Sequence, residues 1–149
     1  MGGVYVINIK RRVINLIKRH GTADPFVIAH GLNIDIIPFP LPCPIRGFLV
    51  RALRRKIIFV NARLDERSQK IVVCHELGHA RLHLGYGYYL HPNSVYYIPS
   101  KREREANEYA LHLLSYSHDI DIGLIIKVLK EKRPDPKIVH RLLSELAIT

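Results

Sequence analysis

The sequence holds no apolar run near the roughly 18 residues that a membrane-spanning helix needs. Its start, Met1 to Lys10, lacks the charged, apolar and small-residue segments of a secretory signal. Both absences predict a cytoplasmic chain with no membrane partner. Cysteine is scarce, with Cys43 and Cys74 the two present. Two thiols do not make a disulfide framework, and neither belongs to a Cys-x-x-Cys pair, which excludes a cysteine-based zinc knuckle. In a reducing compartment both read as structural thiols. Cys43, stiffly held between Pro42 and Pro44, has the further option of capping an open metal position if it is deprotonated. Acidic residues are also few: 13 Asp and Glu stand against 23 Lys and Arg, a net charge of +10. Such a charge attracts nucleic acid, acidic protein or anionic surfaces. The cations are nevertheless scattered (Arg11 and Arg12, Arg54 to Lys56, Lys101 to Arg104, Lys130 to Arg133), which suits a solvated basic surface better. Direct nucleic-acid binding stays open at this point.

With 149 residues, no internal repeat and no low-complexity segment, the chain fits one domain, 1–149, able to bury one core. The spacing of Val13, Leu16 and Ile17 predicts an amphipathic helix over 8–20, ended by Gly21. Asp24-Pro25 restarts a short helix, with Asp as N-cap and Pro at the first helical position, and Gly31 stops it. Residues 33–39 read as a strand. The run Phe39-Pro40-Leu41-Pro42-Cys43-Pro44 must be an extended loop, because proline fits neither a helix interior nor a central strand. Strands are expected over 47–52 and 56–60, and Asp65 caps a long helix over 66–84. A Gly-, Tyr- and Pro-rich loop follows over 85–99, then helices over 101–115, from Asp119 or Asp121 to Lys132, and over 134–147. The expected class is α+β, a small antiparallel or mixed three-stranded sheet packed on a helical bundle.

Chemistry concentrates in His75-Glu76-Leu77-Gly78-His79. Positions i and i+4 lie about 40° apart on a helix face, so both imidazoles can reach one ion. Two His, a third protein ligand and one open position form the catalytic arrangement of zinc. Glu76 stays beside that stripe and can take a proton from an activated water. The pentapeptide alone is modest support in a chain with nine His. Its predicted buried helix and a suitable third ligand elsewhere strengthen it.

The longer pattern that supplies a third His from the same segment is absent, since Leu82 and Gly85 stand at its Gly and His places. His83 continues the stripe, but eight helical residues span about 12 Å, too far to share an ion with His75. It reads as a core residue or as support behind a ligand. In the helix over 101–115, Glu103, Ala106, Asn107, Ala110 and Leu114 share one side. Lys101, Glu105, Glu108 and His112 share another, which reads as solvated. Small Ala106 and Ala110 would let this helix approach the one carrying Gly78. Glu103 is therefore the expected third ligand, with Glu105 as the rival, and Asn107 could orient a metal-bound imidazole.

Several segments together resemble the ImmA/IrrE family of metallo-endopeptidases. They are Gly21-Thr22-x-Asp24-Pro25-Phe26-x-Ile28-Ala29, Gly47-Phe48, Ile57-Ile58-Phe59-Val60-Asn61, the run Gln69 to Ala80 with Leu82-His83, and Glu103-x-Glu105-Ala106-Asn107-x-Tyr109-Ala110-x-x-Leu113-Leu114. The likeness covers most of the chain and fades after Ser117. Tyr109 replaces the common Phe, and Ser115-Tyr116 follows where Met-Pro is frequent. The resemblance implies a zincin-like core with a gluzincin-like Zn2+ site, Glu103 in the ligand position and Asn107 behind it. It also implies a protein substrate, a helix-turn-helix transcriptional repressor cut at one site, in the setting of a mobile element or a stress response. An oxyanion donor is then needed. Tyr88, Tyr89, His91, Tyr96 and Tyr97, between the metal helices, are the candidates. The alternative is a non-catalytic binding module for a repressor or nucleic acid, with zinc stabilising the fold.

Overall fold

Helix α1 (Ile9–His20) begins where the Asn8 side chain accepts a hydrogen bond from the Arg11 N–H. It ends at Gly21, whose left-handed backbone (φ 69°) lets its N–H reach back to the Ile17 carbonyl. Helix α2 (Pro25–Gly31) is capped by Asp24, which accepts from the Phe26 N–H at 2.9 Å, and opens on proline, whose missing N–H costs nothing there. In this computed structural model, residues 7–52, 54–83 and 101–117 are described, with the isolated positions Gly123, Lys137 and Arg141.

Strands β1 (Ile34–Phe39), β2 (Gly47–Ala52) and β3 (Arg55–Asn61) form a mixed sheet in the order β1-β3-β2. β2 and β3 pair antiparallel, and β1 lies parallel to β3. Ile36, Ile58 and Leu49 are directly opposite one another across the three strands. Ile58 and Leu49 are fully buried, and together with Ile34 and Val60 they give the sheet its helix-facing side. The proline-rich connection between β1 and β2 is held by a buried amide. Asn61 donates to the Leu41 and Ile45 carbonyls and accepts from the Leu41 and Arg63 N–H groups. This tie fixes a segment whose prolines cannot supply a ladder of their own.

Helix α3 (Glu66–Leu82) starts at Asp65, which accepts from the Ser68 N–H at 2.7 Å. Most of its length is buried, because the sheet and α2 cover one part and α4 (Lys101–Leu114) another. Its C-terminal carbonyls draw cations from the β2–β3 hairpin. Arg51 donates to His83 O at 3.0 Å and Lys56 to Ala80 O at 3.3 Å. These two residues face each other across the strands, an unfavourable like-charge pair that the helix C-terminus relieves.

The α+β class, the mixed three-stranded sheet and the five N-terminal elements agree with the sequence reading to within a residue or so, and α3 stops two residues earlier. The loop over 85–99 and, apart from the helical positions Gly123, Lys137 and Arg141, the two helices expected after Asp119 lie outside the described residues.

Contact between α3 and α4 is closest at Gly78. A Cβ built there would stand 3.1 Å from the Ala106 carbonyl oxygen, 3.2 Å from its Cα and 3.0 Å from the Tyr109 Cβ. Backbone leaves little room to yield. Gly78→Val should therefore push the helices apart, costing about 1–3 kcal/mol and roughly 3–10 °C in Tm. Thermal unfolding followed by circular dichroism checks this; an unchanged Tm would refute the close-contact account.

Candidate metal centre

His75 and His79 sit on successive turns of α3 with ring centroids 4.8 Å apart. Glu103, in the first turn of α4, reaches across with both oxygens. Oε1 lies 2.8 Å from His79 Nε2, and Oε2 lies 3.3 Å from His75 Nε2. Among the described residues these three make up the group able to hold a metal ion, with ligand atoms within 4.8 Å of one another. A tetrahedral zinc ion, at about 2.0–2.1 Å from N and O donors, wants those donors roughly 3.3 Å apart. The donor set thus fits zinc after small side-chain adjustments. Three protein donors leave a fourth position for water or substrate.

Glu76 follows His75 on α3 and is buried. Its Oε2 has no hydrogen-bond partner among the described residues. Burial pushes its carboxyl up to about 7, against the pull of His75, and the charge of Glu103 adds to the rise. Glu103 goes the other way. Burial would raise it, but hydrogen bonds from His75 and His79 hold it far below the usual carboxylate range. Burial would likewise lower His75. The Glu103 hydrogen bond and charge, the Glu76 charge and a hydrogen bond with Asn107 override burial and bring His75 to about 9. His79 is pushed down to about 4, chiefly by burial. Without an ion, an imidazolium beside Glu103 supplies the positive charge at this spot.

Support behind the two imidazoles differs. Asn107, buried on α4, hydrogen-bonds His75. His83 is buried with its Nδ1 3.0 Å from His79 Nδ1, and its Nε2 is 3.4 Å from Glu105 Oε1. His83 is the C-cap of α3, with non-helical backbone (φ −117°, ψ 66°). Its ring still lies beside that of His79, with centroids 5.1 Å apart.

The structure thus brings together His75, Glu76, His79, Glu103, Asn107 and His83. It separates Glu105 from the ligand group and gives it His83 as partner. The expected solvated face of α4 is corrected: Glu105, Glu108 and His112 are all partly covered, and burial raises the Glu108 carboxyl and lowers the His112 imidazole. Face assignment from one helix cannot see what neighbouring chain covers it. Cys43 is exposed and stands outside the metal-capable group, and Cys74 is buried. Tyr88, Tyr89, His91, Tyr96 and Tyr97 lie outside the described residues.

The raised Glu76 carboxyl has a stability consequence. In the folded metal-free chain it keeps its proton up to about pH 7, whereas the ordinary value is 4.5. Between those values the fold binds the extra proton, so this group's contribution falls as pH rises. Glu76→Gln removes that dependence. Its advantage over the parent in unfolding free energy, measured by denaturant titration in chelator, should grow from pH 5 to pH 8 by up to about 3 kcal/mol, at ~1.4 kcal/mol per pH unit. A pH-independent difference would contradict the buried, proton-holding carboxyl.

The described residues contain no helix long and apolar enough to cross a membrane. No solved structure gives a significant match to this chain. A protein named "Uncharacterized immunity region protein 2", from Bacillus phage phi105, is 37% identical over 112 residues, 75% of this chain and 70% of that protein. A peptidase family model described as the IrrE N-terminal-like domain matches residues 29–116, from the end of α2 through the sheet, α3 and α4. That span carries all six residues gathered above and more than half of the chain, and the chain belongs to the ImmA/IrrE family of peptidases.

Proposed function

We propose that this chain is a zinc-dependent endopeptidase that cuts a helix-turn-helix transcriptional repressor at one site in the cytoplasm. The observation that carries the reading is the convergence of His75, His79 and Glu103 beside Glu76, a buried carboxyl whose Oε2 has no hydrogen-bond partner among the described residues. Repressor cleavage is supported by the family resemblance and by a phage relative named for an immunity region.

His75, His79 and Glu103 would hold the zinc ion, which supplies Lewis acidity to activate a water and polarise the scissile carbonyl. Glu76 takes the proton of the attacking water on its carboxylate and then delivers it to the departing amine. Asn107 holds His75 in orientation. Strand β2 is an edge of the sheet, so an extended substrate segment can add alongside Gly47–Ala52 through main-chain hydrogen bonds. The oxyanion donor is sought among Tyr88, Tyr89, His91, Tyr96 and Tyr97.

Co-expression with candidate helix-turn-helix repressors tests this. The parent should yield one pair of fragments, and a chelator should block the cut. Glu76→Gln should bind zinc as the parent does yet cleave at least ~10²-fold more slowly. Cleavage by that variant at the parent's rate would sink the mechanism. The net charge of +10 favours one rival, a binding module without catalysis. Duplex binding with a steep salt dependence and no proteolysis would select it.

A further inference from the structure

We infer that Glu105, acting through His83, fixes His79 in the form that presents Nε2 to the ion, so that Glu105 and His83 are positioning residues of the metal centre. This rests on the proposal that His75, His79 and Glu103 hold zinc.

His79 Nδ1 and His83 Nδ1 are 3.0 Å apart, so one nitrogen must donate and the other accept. His83 Nε2 lies 3.4 Å from Glu105 Oε1, and an ionised carboxylate only accepts. His83 Nε2 therefore carries a proton. With an ion on Nε2, His79 carries its ring proton on Nδ1 and donates to His83 Nδ1, and His83 in turn donates from Nε2 to Glu105. His79 Nε2 then presents its lone pair to the ion, which takes the place of the hydrogen bond that Nε2 makes to Glu103 Oε1 at 2.8 Å. Running the chain in the opposite sense would set the His83 Nε2 lone pair against the Glu105 carboxylate instead. The two carboxylates of α4, two residues apart in sequence, thus act on opposite ends of one chain of imidazoles. Glu103 meets the ion, and Glu105 orders the donors behind it.

The two ligands are then not equivalent. His75 is backed by the neutral amide of Asn107. His79 is backed by an imidazole that ends on a carboxylate, which pins its ring and makes Nε2 a stronger donor.

The test uses the full chain and zinc alone, with the dissociation constant read by competition with a chromophoric chelator. His83→Leu and Glu105→Leu should each weaken zinc binding ten- to a hundredfold, the usual scale for groups behind a ligand. His83→Gln should stay within about threefold of the parent, because its amide can accept from His79 and donate to Glu105. Imidazole 15N spectra of the zinc-loaded parent should show His79 bound through Nε2, with a slowly exchanging proton on Nδ1. That spectrum needs no variant, so it decides even where a leucine substitution fails to fold. Parent-like affinity in both leucine variants, a glutamine variant no better than the leucine one, or His79 bound through Nδ1 would each overturn the inference. A parent that takes up no zinc at all would instead sink the enzyme reading beneath it.

Discussion

The chemistry of this protein hangs on how closely two helix backbones meet. His75 and His79 belong to α3 and Glu103 to α4, so no single element contains the site. Gly78 lies between the two imidazoles in sequence, and Ala106 lies one turn beyond Glu103. Where these small residues touch, even one added methyl would crowd the facing backbone. A wider spacing would withdraw the carboxylate from both Nε2 atoms, because Glu103 spans them with its two oxygens. Packing density here sets ligand geometry directly.

That geometry also separates two chemically identical groups. Glu76 and Glu103 are both partly or fully removed from water, yet their acidities diverge. Glu103 meets two imidazoles and stays ionised. Glu76 has an oxygen without a partner among the described residues, and burial favours its protonated form until about pH 7. One carboxylate is thereby suited to hold a cation and the other to exchange a proton, a division of labour set by surroundings alone.

Much of this was legible in the sequence because local rules and tertiary packing agree. Asp24 and Asp65 cap helices where caps were expected, and the continuous apolar run Ile57 to Val60 marks the buried central strand. Glu103 was singled out because Ala106 and Ala110 follow it on the same face, and small residues signal close helix contact. The reading was weaker wherever a residue's role depends on a partner far along the chain. His83 lies beside His79, but the partner at its other ring nitrogen, Glu105, comes from a separate helix. Glu105 shares a helical side with Lys101, Glu108 and His112, and nothing local distinguishes a charge facing water from one facing His83. Asn61, just past the strand expected over 56–60, gives no local sign that it is buried and makes four hydrogen bonds.

That asparagine has a consequence for how the sheet comes together. The β2–β3 hairpin is sequence-local, with Ala52 opposite Arg55. Bringing β1 alongside β3 in the parallel sense closes a much longer loop, whose entropy must be offset at its far end. The amide of Asn61 reaches back 16 residues to Ile45 and 20 to Leu41, both within the connection that separates the two strands. It acts as a latch between the end of the central strand and the connection that carries the chain from one edge strand to the other.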